Sequence, residues 1–159
     1  MRTAGLAAAF ALALGGFACG ATTRTTTAPR TSAVTLSSAS VTFVTLNDGK
    51  DEDSAIAVQI LDENDRLAAE GTVVDTDFDD RTVSSPLILA MSRTLTADDV
   101  DDARVRLRLT PDGRDTWTFD LRFTAKLSDG SERQYFWSGL RLDESSPERT
   151  LSLASGRLR

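Results

Sequence analysis

Thr116-Trp-Thr-Phe-Asp-Leu-Arg-Phe-Thr-Ala-Lys-Leu127 is the stretch whose reading decides the fold. Its odd positions are Trp, Phe, Leu, Phe, Ala and Leu, and its even ones are Thr, Thr, Asp, Arg, Thr and Lys. A period of two over this length predicts a long strand with one face buried and one face in water. Upstream, Arg104-Val-Arg-Leu-Arg-Leu109 alternates in the same way, and Pro111-Asp112-Gly113 supplies turn residues between the two. This predicts a hairpin with Asp120 opposite Arg104 or Arg106. Downstream, Ser128-Asp129-Gly130 predicts a second hairpin onto Glu132 to Leu142. A two-residue turn there sets Lys126 against Arg133, a like-charge pair. A three-residue turn with a Gly130 bulge sets Lys126 opposite Glu132, Phe123 opposite Tyr135 and Leu121 opposite Trp137, so the bulge is preferred. That register buries Tyr135 and Trp137 and leaves Phe136 on the outer face beside Arg122.

Outward from this centre the chain continues as short strands and turns. Val41 to Leu46 is rich in β-branched and aromatic residues, and Ala55 to Leu61 carries Ile56, Val58 and Ile60 on one face. Leu67 to Val74 reads as a weaker strand. Pro86 restricts Leu87 to Met91 to an edge strand or its start. Thr96 is a helix cap with acids in the first turn behind it, which places one short helix there. Thr150 to Leu153 is the last strand. The expected architecture is all-β: a two-layer antiparallel β-sandwich of about eight strands with at most one short helix.

The N-terminus has a different grammar. Met1-Arg2-Thr3 is a short positive head, and Ala4 to Phe17 is an apolar run, the form of a secretory signal peptide. The run is shorter than the ~20 residues a spanning helix needs. It ends at Gly16-Phe17-Ala18-Cys19-Gly20, and Cys19 is the chain's one cysteine. This resembles the bacterial lipoprotein signal, which implies lipidation of Cys19 and an anchor in the membrane. Ordinary export with cleavage after Ala18 or Ala21 is the alternative. Gly20 to Ser40 is rich in Thr, Ser and Ala and reads as a tether. The expected division is thus a signal peptide over 1–18, a tether over 19–40 and one β-domain over 41–159, in a protein that is exported and either membrane-anchored or periplasmic or extracellular.

Composition narrows the chemistry. The chain has no histidine, which removes His-dependent triads, Cys-His nucleophiles and the usual zinc sites. No glycine-rich phosphate loop follows a strand. With 24 acids against 18 bases the net charge is −6, which disfavours nucleic acid as a partner. Arg104, Arg106, Arg108 and Arg122 read as a solvated outer face paired with Asp120. Two acidic loops, Asn47 to Asp53 and Asp75 to Asp80, fall at one end of an up-and-down arrangement. Hard cations take several oxygen ligands, so Asp48, Asp51, Asp53, Asp77 and Asp79 are candidate calcium ligands, with calcium the candidate cofactor.

Thr45-Leu-Asn-Asp-Gly-Lys-Asp-Glu-Asp-Ser-Ala-Ile-Ala-Val-Gln-Ile60 resembles the opening of PLAT domains, in which a strand and an Asp/Gly-rich turn lead into a strand of alternating Val and Ile. The resemblance implies a β-sandwich that binds lipids or protein partners, in some members with calcium at such loops. The function expected from the sequence is a surface-tethered binding or structural module with no catalytic residues. Its partners are the membrane, through Cys19, and a protein, lipid or glycan ligand. The competing classes are a carboxylate-based glycoside hydrolase, since two carboxylates can cleave glycosides without histidine, a carbohydrate-binding accessory protein, and an inert envelope component.

Overall fold

The computed structural model describes residues 32–112 and 116–156. The signal segment, Cys19 and most of the tether lie outside the described residues. Eight strands form one antiparallel sheet: β1 (Leu36–Asn47), β2 (Ala55–Leu61), β3 (Leu67–Val73), β4 (Leu87–Met91), β5 (Arg104–Thr110), β6 (Thr116–Leu127), β7 (Glu132–Asp143) and β8 (Glu148–Ser152). Two short helices accompany them, α1 (Ala97–Asp102) and α2 (Leu153–Gly156). The order across the sheet is β7-β6-β1-β4-β3-β2-β5-β8, and the sheet curls into a nearly closed, barrel-like form. Where the sequence suggests two separate sheets, β4 joins the halves into one. Its residues Leu87 to Leu89 pair with Val41 to Ala39 of β1, and Ala90 and Met91 pair with Glu70 and Ala69 of β3. Pro86 stands just before the strand, so its missing N–H costs no ladder bond and β4 lies inside the sheet rather than at its edge.

The expected pairing of β5 with β6 is not formed. β6 lies between β1 and β7, with Asp120 opposite Val44, and β5 lies between β2 and β8. Strand length supplies the reason. β1, β6 and β7 have 12 residues each, and β2, β3 and β5 have 7 each. A long strand flanked by long strands satisfies its backbone N–H and C=O groups along its whole length, whereas a 7-residue partner leaves part of it unpaired. The β5 pairing is also matched in side chains: Val105, Leu107 and Leu109 face Ile60, Val58 and Ile56, and all six are buried.

The second hairpin takes the bulged register. Lys126 pairs with Glu132, Phe123 with Tyr135, Arg122 with Phe136 and Leu121 with Trp137. Gly130 carries the positive φ of 85° that this three-residue turn requires. The first strand begins at Leu36 rather than at Val41. Leu36 and Ala39 are buried, while Ser38 and Ser40 hide the strand pattern because small polar residues face outward beside them.

The barrel's core follows from the alternation. Val41, Phe43, Trp117, Phe119, Leu121, Phe123 and Tyr135 are buried from the long strands, packed against the apolar face of β2 and β5. At one end the helices fill the seam between edge strands β7 and β8. Thr96 caps α1 in a capping box with Asp99, as its sequence suggests. The second helix, α2, is a departure from the single helix expected. It ends β8 at Ser152 and turns Leu153 into the core, with the Leu153 N–H donating to the Ala103 carbonyl at 3.0 Å. Gly156 lies directly against the Trp137 ring, so Trp137 is half-buried beneath α2. Tyr135 donates to Asp101 of α1 at 3.2 Å, and Arg133 pairs with the same carboxylate at 3.0 Å. Helix α1 is thereby tied to β7.

Candidate functional site

At the end opposite the helices, four loops meet. Lys50 and Phe78 form an isolated β-bridge, with the Phe78 N–H donating to the Lys50 carbonyl at 3.0 Å. The two acidic loops therefore do converge. The Asp112 N–H donates to the Ser54 hydroxyl at 3.1 Å, and the Leu109 N–H donates to the Pro147 carbonyl at 2.8 Å, which brings in the turns after β5 and β7. Gly49 is required at the junction, because a Cβ there would lie 2.5 Å from the Phe78 carbonyl oxygen.

The cation at this junction belongs to the chain. Lys50 is fully buried; its ammonium donates to the Asp51 carbonyl at 2.7 Å and to the Ser54 carbonyl, and lies 5.5 Å from the centre of the Phe78 ring. Asp48, Asp51, Asp53, Asp77 and Asp79, the candidate calcium ligands, are all exposed around it. Among the described residues no three acidic side chains come together in a group able to hold a metal ion. Two of the loop carbonyls, those of Asp51 and Ser54, are engaged by the lysine. Lys50 is the residue that sequence reasoning passed over. Its signal is its position, a base in the middle of Asn47 to Asp53.

A second polar cluster lies at the β2–β3 turn, near the start of α1. Asp62 is buried and accepts from the Arg66 and Asn64 N–H groups at 2.9 Å each, from Arg66 Nε at 3.0 Å and from an Arg93 guanidinium nitrogen at 2.7 Å. The Arg66 backbone bond is the main influence holding its carboxyl below the usual value of 3.8, and it outweighs burial, which acts the other way. Asp99, Asp129 and Asp143 are likewise lowered, chiefly by the Thr96 N–H, the Ser131 hydroxyl and the Ser145 hydroxyl respectively. These are structural carboxylates, each closing a turn or a cap. A group whose folded pKa is depressed contributes stability above its unfolded pKa and loses it as pH falls through the folded one. The melting temperature should therefore hold steady down to about pH 5 and fall below about pH 4. Asp62→Asn should flatten that acid limb while lowering stability at neutral pH. Melting curves of the two proteins across pH check this, and an unchanged acid limb would remove Asp62 from the account.

The third feature is on the outer face of β1, β6 and β7. A concavity of about 470 Å3 opens there, lined by the outward residues Thr42, Arg122, Thr124, Gln134 and Phe136 and by Phe123 and Tyr135 between them. That volume is in the range of small-ligand sites, about 300–1,000 Å3. The register explains the grouping: Thr42, Arg122 and Phe136 form one cross-strand row, and Ser40, Thr124 and Gln134 the next. Among the described residues Phe136 is the one aromatic side chain that belongs neither to the core nor to the α2 seam. Arg122 is exposed and has no ion-pair partner among the described residues. Its expected partner, Asp120, accepts instead from the Gly139 N–H at 2.8 Å. Arg133 and Arg141 of β7 are paired with Asp101 and Asp143, and Arg104, Arg106 and Arg108 lie on β5 in the opposite half of the sheet. Arg106 donates to Gln59, which donates to Glu70, and Arg104 pairs with Asp65. The outward placement of Phe136 beside Arg122 is readable from the sequence; the concavity is not, since it depends on the curl of the sheet. No family model matches the chain, and a search of curated proteins finds no match.

Proposed function

We propose that the chain is a non-catalytic binding module of the cell envelope, exported by residues 1–18, held at the membrane through a lipid on Cys19, and presenting the outer face of β1, β6 and β7 to its ligand. The observation that carries this reading is the Arg122–Phe136 pair in a concavity of ligand size, where a guanidinium with no ion-pair partner among the described residues lies beside an outward aromatic ring. Both residue types are over-represented where proteins bind other molecules. Calcium has no part in this reading. The competing hydrolase needs a carboxylic acid held protonated near neutral pH, hence with its pKa raised. The displaced carboxylates Asp62, Asp99, Asp129 and Asp143 are displaced downward, which favours structural roles for them.

A panel of glycans, anionic vesicles and peptides tests the proposal, using the full chain in detergent and a variant carrying Arg122→Glu with Phe136→Ala. At least one class should bind the unaltered chain and release from the variant, without turnover. Binding indifferent to the double substitution would remove this face from the function. Hydrolysis of a polysaccharide, abolished by a single Asp substitution, would replace the module with an enzyme.

A further inference from the structure

We infer that the ligand of the β1-β6-β7 concavity is a saccharide bearing carboxylates, with Arg122 pairing the sugar carboxylate and the Phe136 ring covering the apolar face of the pyranose. This inference rests on the binding-module reading and narrows it to one class of ligand.

The lining argues for the class by what each alternative would leave unsatisfied. Thr42 and Thr124 offer hydroxyls that both donate and accept, and Gln134 offers an amide whose nitrogen already donates to Glu132 at 2.8 Å and whose oxygen can accept. Neighbouring side chains on one face lie about 6.7 Å apart along a strand and about 4.8 Å apart across strands. The four polar groups, Thr42, Arg122, Thr124 and Gln134, therefore form a compact grid of donors and acceptors beside the Phe136 ring, which suits a ligand dense in hydroxyls. An acyl chain laid here would desolvate two hydroxyls, an amide and a guanidinium with nothing returned. An extended peptide gains its affinity by main-chain pairing at a sheet edge. Of the strands under this concavity, β1 and β6 are interior and already paired on both sides, and the edge strand β7 has the helices filling the seam beside it. A bare phosphate would use Arg122 and leave Phe136 idle. A uronic-acid type of sugar uses the whole lining: its carboxylate meets the planar guanidinium in a bidentate pair, its hydroxyls meet Thr42, Thr124 and Gln134, and its C–H face meets the ring.

Charge is consistent with this. The guanidinium is exposed in a protein of net charge −6, and Asp120, the next acid along the same face of β6, is engaged by the Gly139 N–H. Glu132, the acid beside Gln134 on β7, stands opposite Lys126, so an anionic ligand supplies a partner that Arg122 does not have among the described residues.

Titration calorimetry of the full chain in detergent tests the inference with tetragalacturonate as the acidic probe, maltotetraose as the neutral one, and an acidic peptide and anionic vesicles as the other classes. Tetragalacturonate should bind and should weaken as salt is raised. Arg122→Gln should lower the affinity about tenfold or more, and Phe136→Leu and Phe136→Ala should lower it progressively. Arg108→Gln, an exposed arginine on the other half of the sheet, should leave it unchanged and reports general charge attraction. Equal losses in Arg108→Gln and Arg122→Gln would overturn the site. Equal binding of maltotetraose would overturn the acidic class, and preferential binding of the peptide or vesicles through Arg122 would overturn the saccharide; both outcomes leave the binding module standing. Silence from every probe would overturn the inference and the module together.

Discussion

Lys50→Met should lower the stability of the domain by about 2 kcal/mol, and Lys50→Ala by about 4 kcal/mol. For a domain of this size these losses correspond to falls in melting temperature of about 8 °C and 15 °C. Methionine keeps the apolar stem but leaves the Asp51 and Ser54 carbonyls without the ammonium that now donates to them. An unsatisfied buried acceptor costs about 1–3 kcal/mol, and loss of the cation beside Phe78 adds about 1 kcal/mol. Relief of the desolvation of a fully buried charge offsets part of that sum. Alanine removes the stem as well and opens a void under the loops. Because the ammonium already holds the loop carbonyls, melting curves of the unaltered protein in calcium and magnesium at matched ionic strength should coincide. A rise of several degrees specific to calcium, the size expected when a ligand binds the native state well above its Kd, would point to Asp48, Asp51, Asp53, Asp77 and Asp79 as its ligands.

How much of this junction can be read from the chain depends on which interactions are local. The boundaries of β2, β4 and β6 are legible because two-residue alternation and flanking turn residues are properties of short windows. The same holds for the Thr96 cap and for the Gly130 bulge, which is chosen by the like charges of Lys126 and Arg133. Convergence of the two acidic loops follows from counting strands between them. The partners of β5 are not legible in this way: Pro111-Asp112-Gly113 reads as a turn whether the chain folds back on itself or crosses to another part of the sheet. Only comparison of strand lengths, 7 against 12, would have pointed away from a hairpin. Burial of Lys50 is less accessible still, because a lysine in an aspartate-rich turn reads as solvated until Phe78 is brought beside it from the other loop. At the proposed binding face, the residues on the outer rows are readable from the β6–β7 register, but the depth of the concavity comes from curvature contributed by all eight strands.

Trp117→Ala should be the most damaging single truncation in the core, with a loss of about 4 kcal/mol and a fall of about 15 °C in melting temperature. Its ring is fully buried and stacks on Phe119 at 4.0 Å, with Phe43 at 4.9 Å and Phe78 at 5.3 Å. Its indole N–H donates to the buried Thr45 hydroxyl at 3.2 Å. Trp117→Phe keeps much of the packing and gives up that bond, so it should cost about 1–2 kcal/mol. The damage should also travel. The Phe78 ring packs 5.3 Å from Trp117 and lies 5.5 Å from the Lys50 ammonium, so truncating the indole loosens the ring that helps to hold the loop junction. Residues that share a partner in this way give non-additive losses. The double variant Lys50→Met with Trp117→Ala should therefore lose less than the sum of the two single losses, by about 1 kcal/mol. Urea unfolding of the four proteins measures the difference. Strict additivity would mean that Phe78 does not couple the core to the loop end, and that the lysine and the indole stabilise two independent parts of the domain.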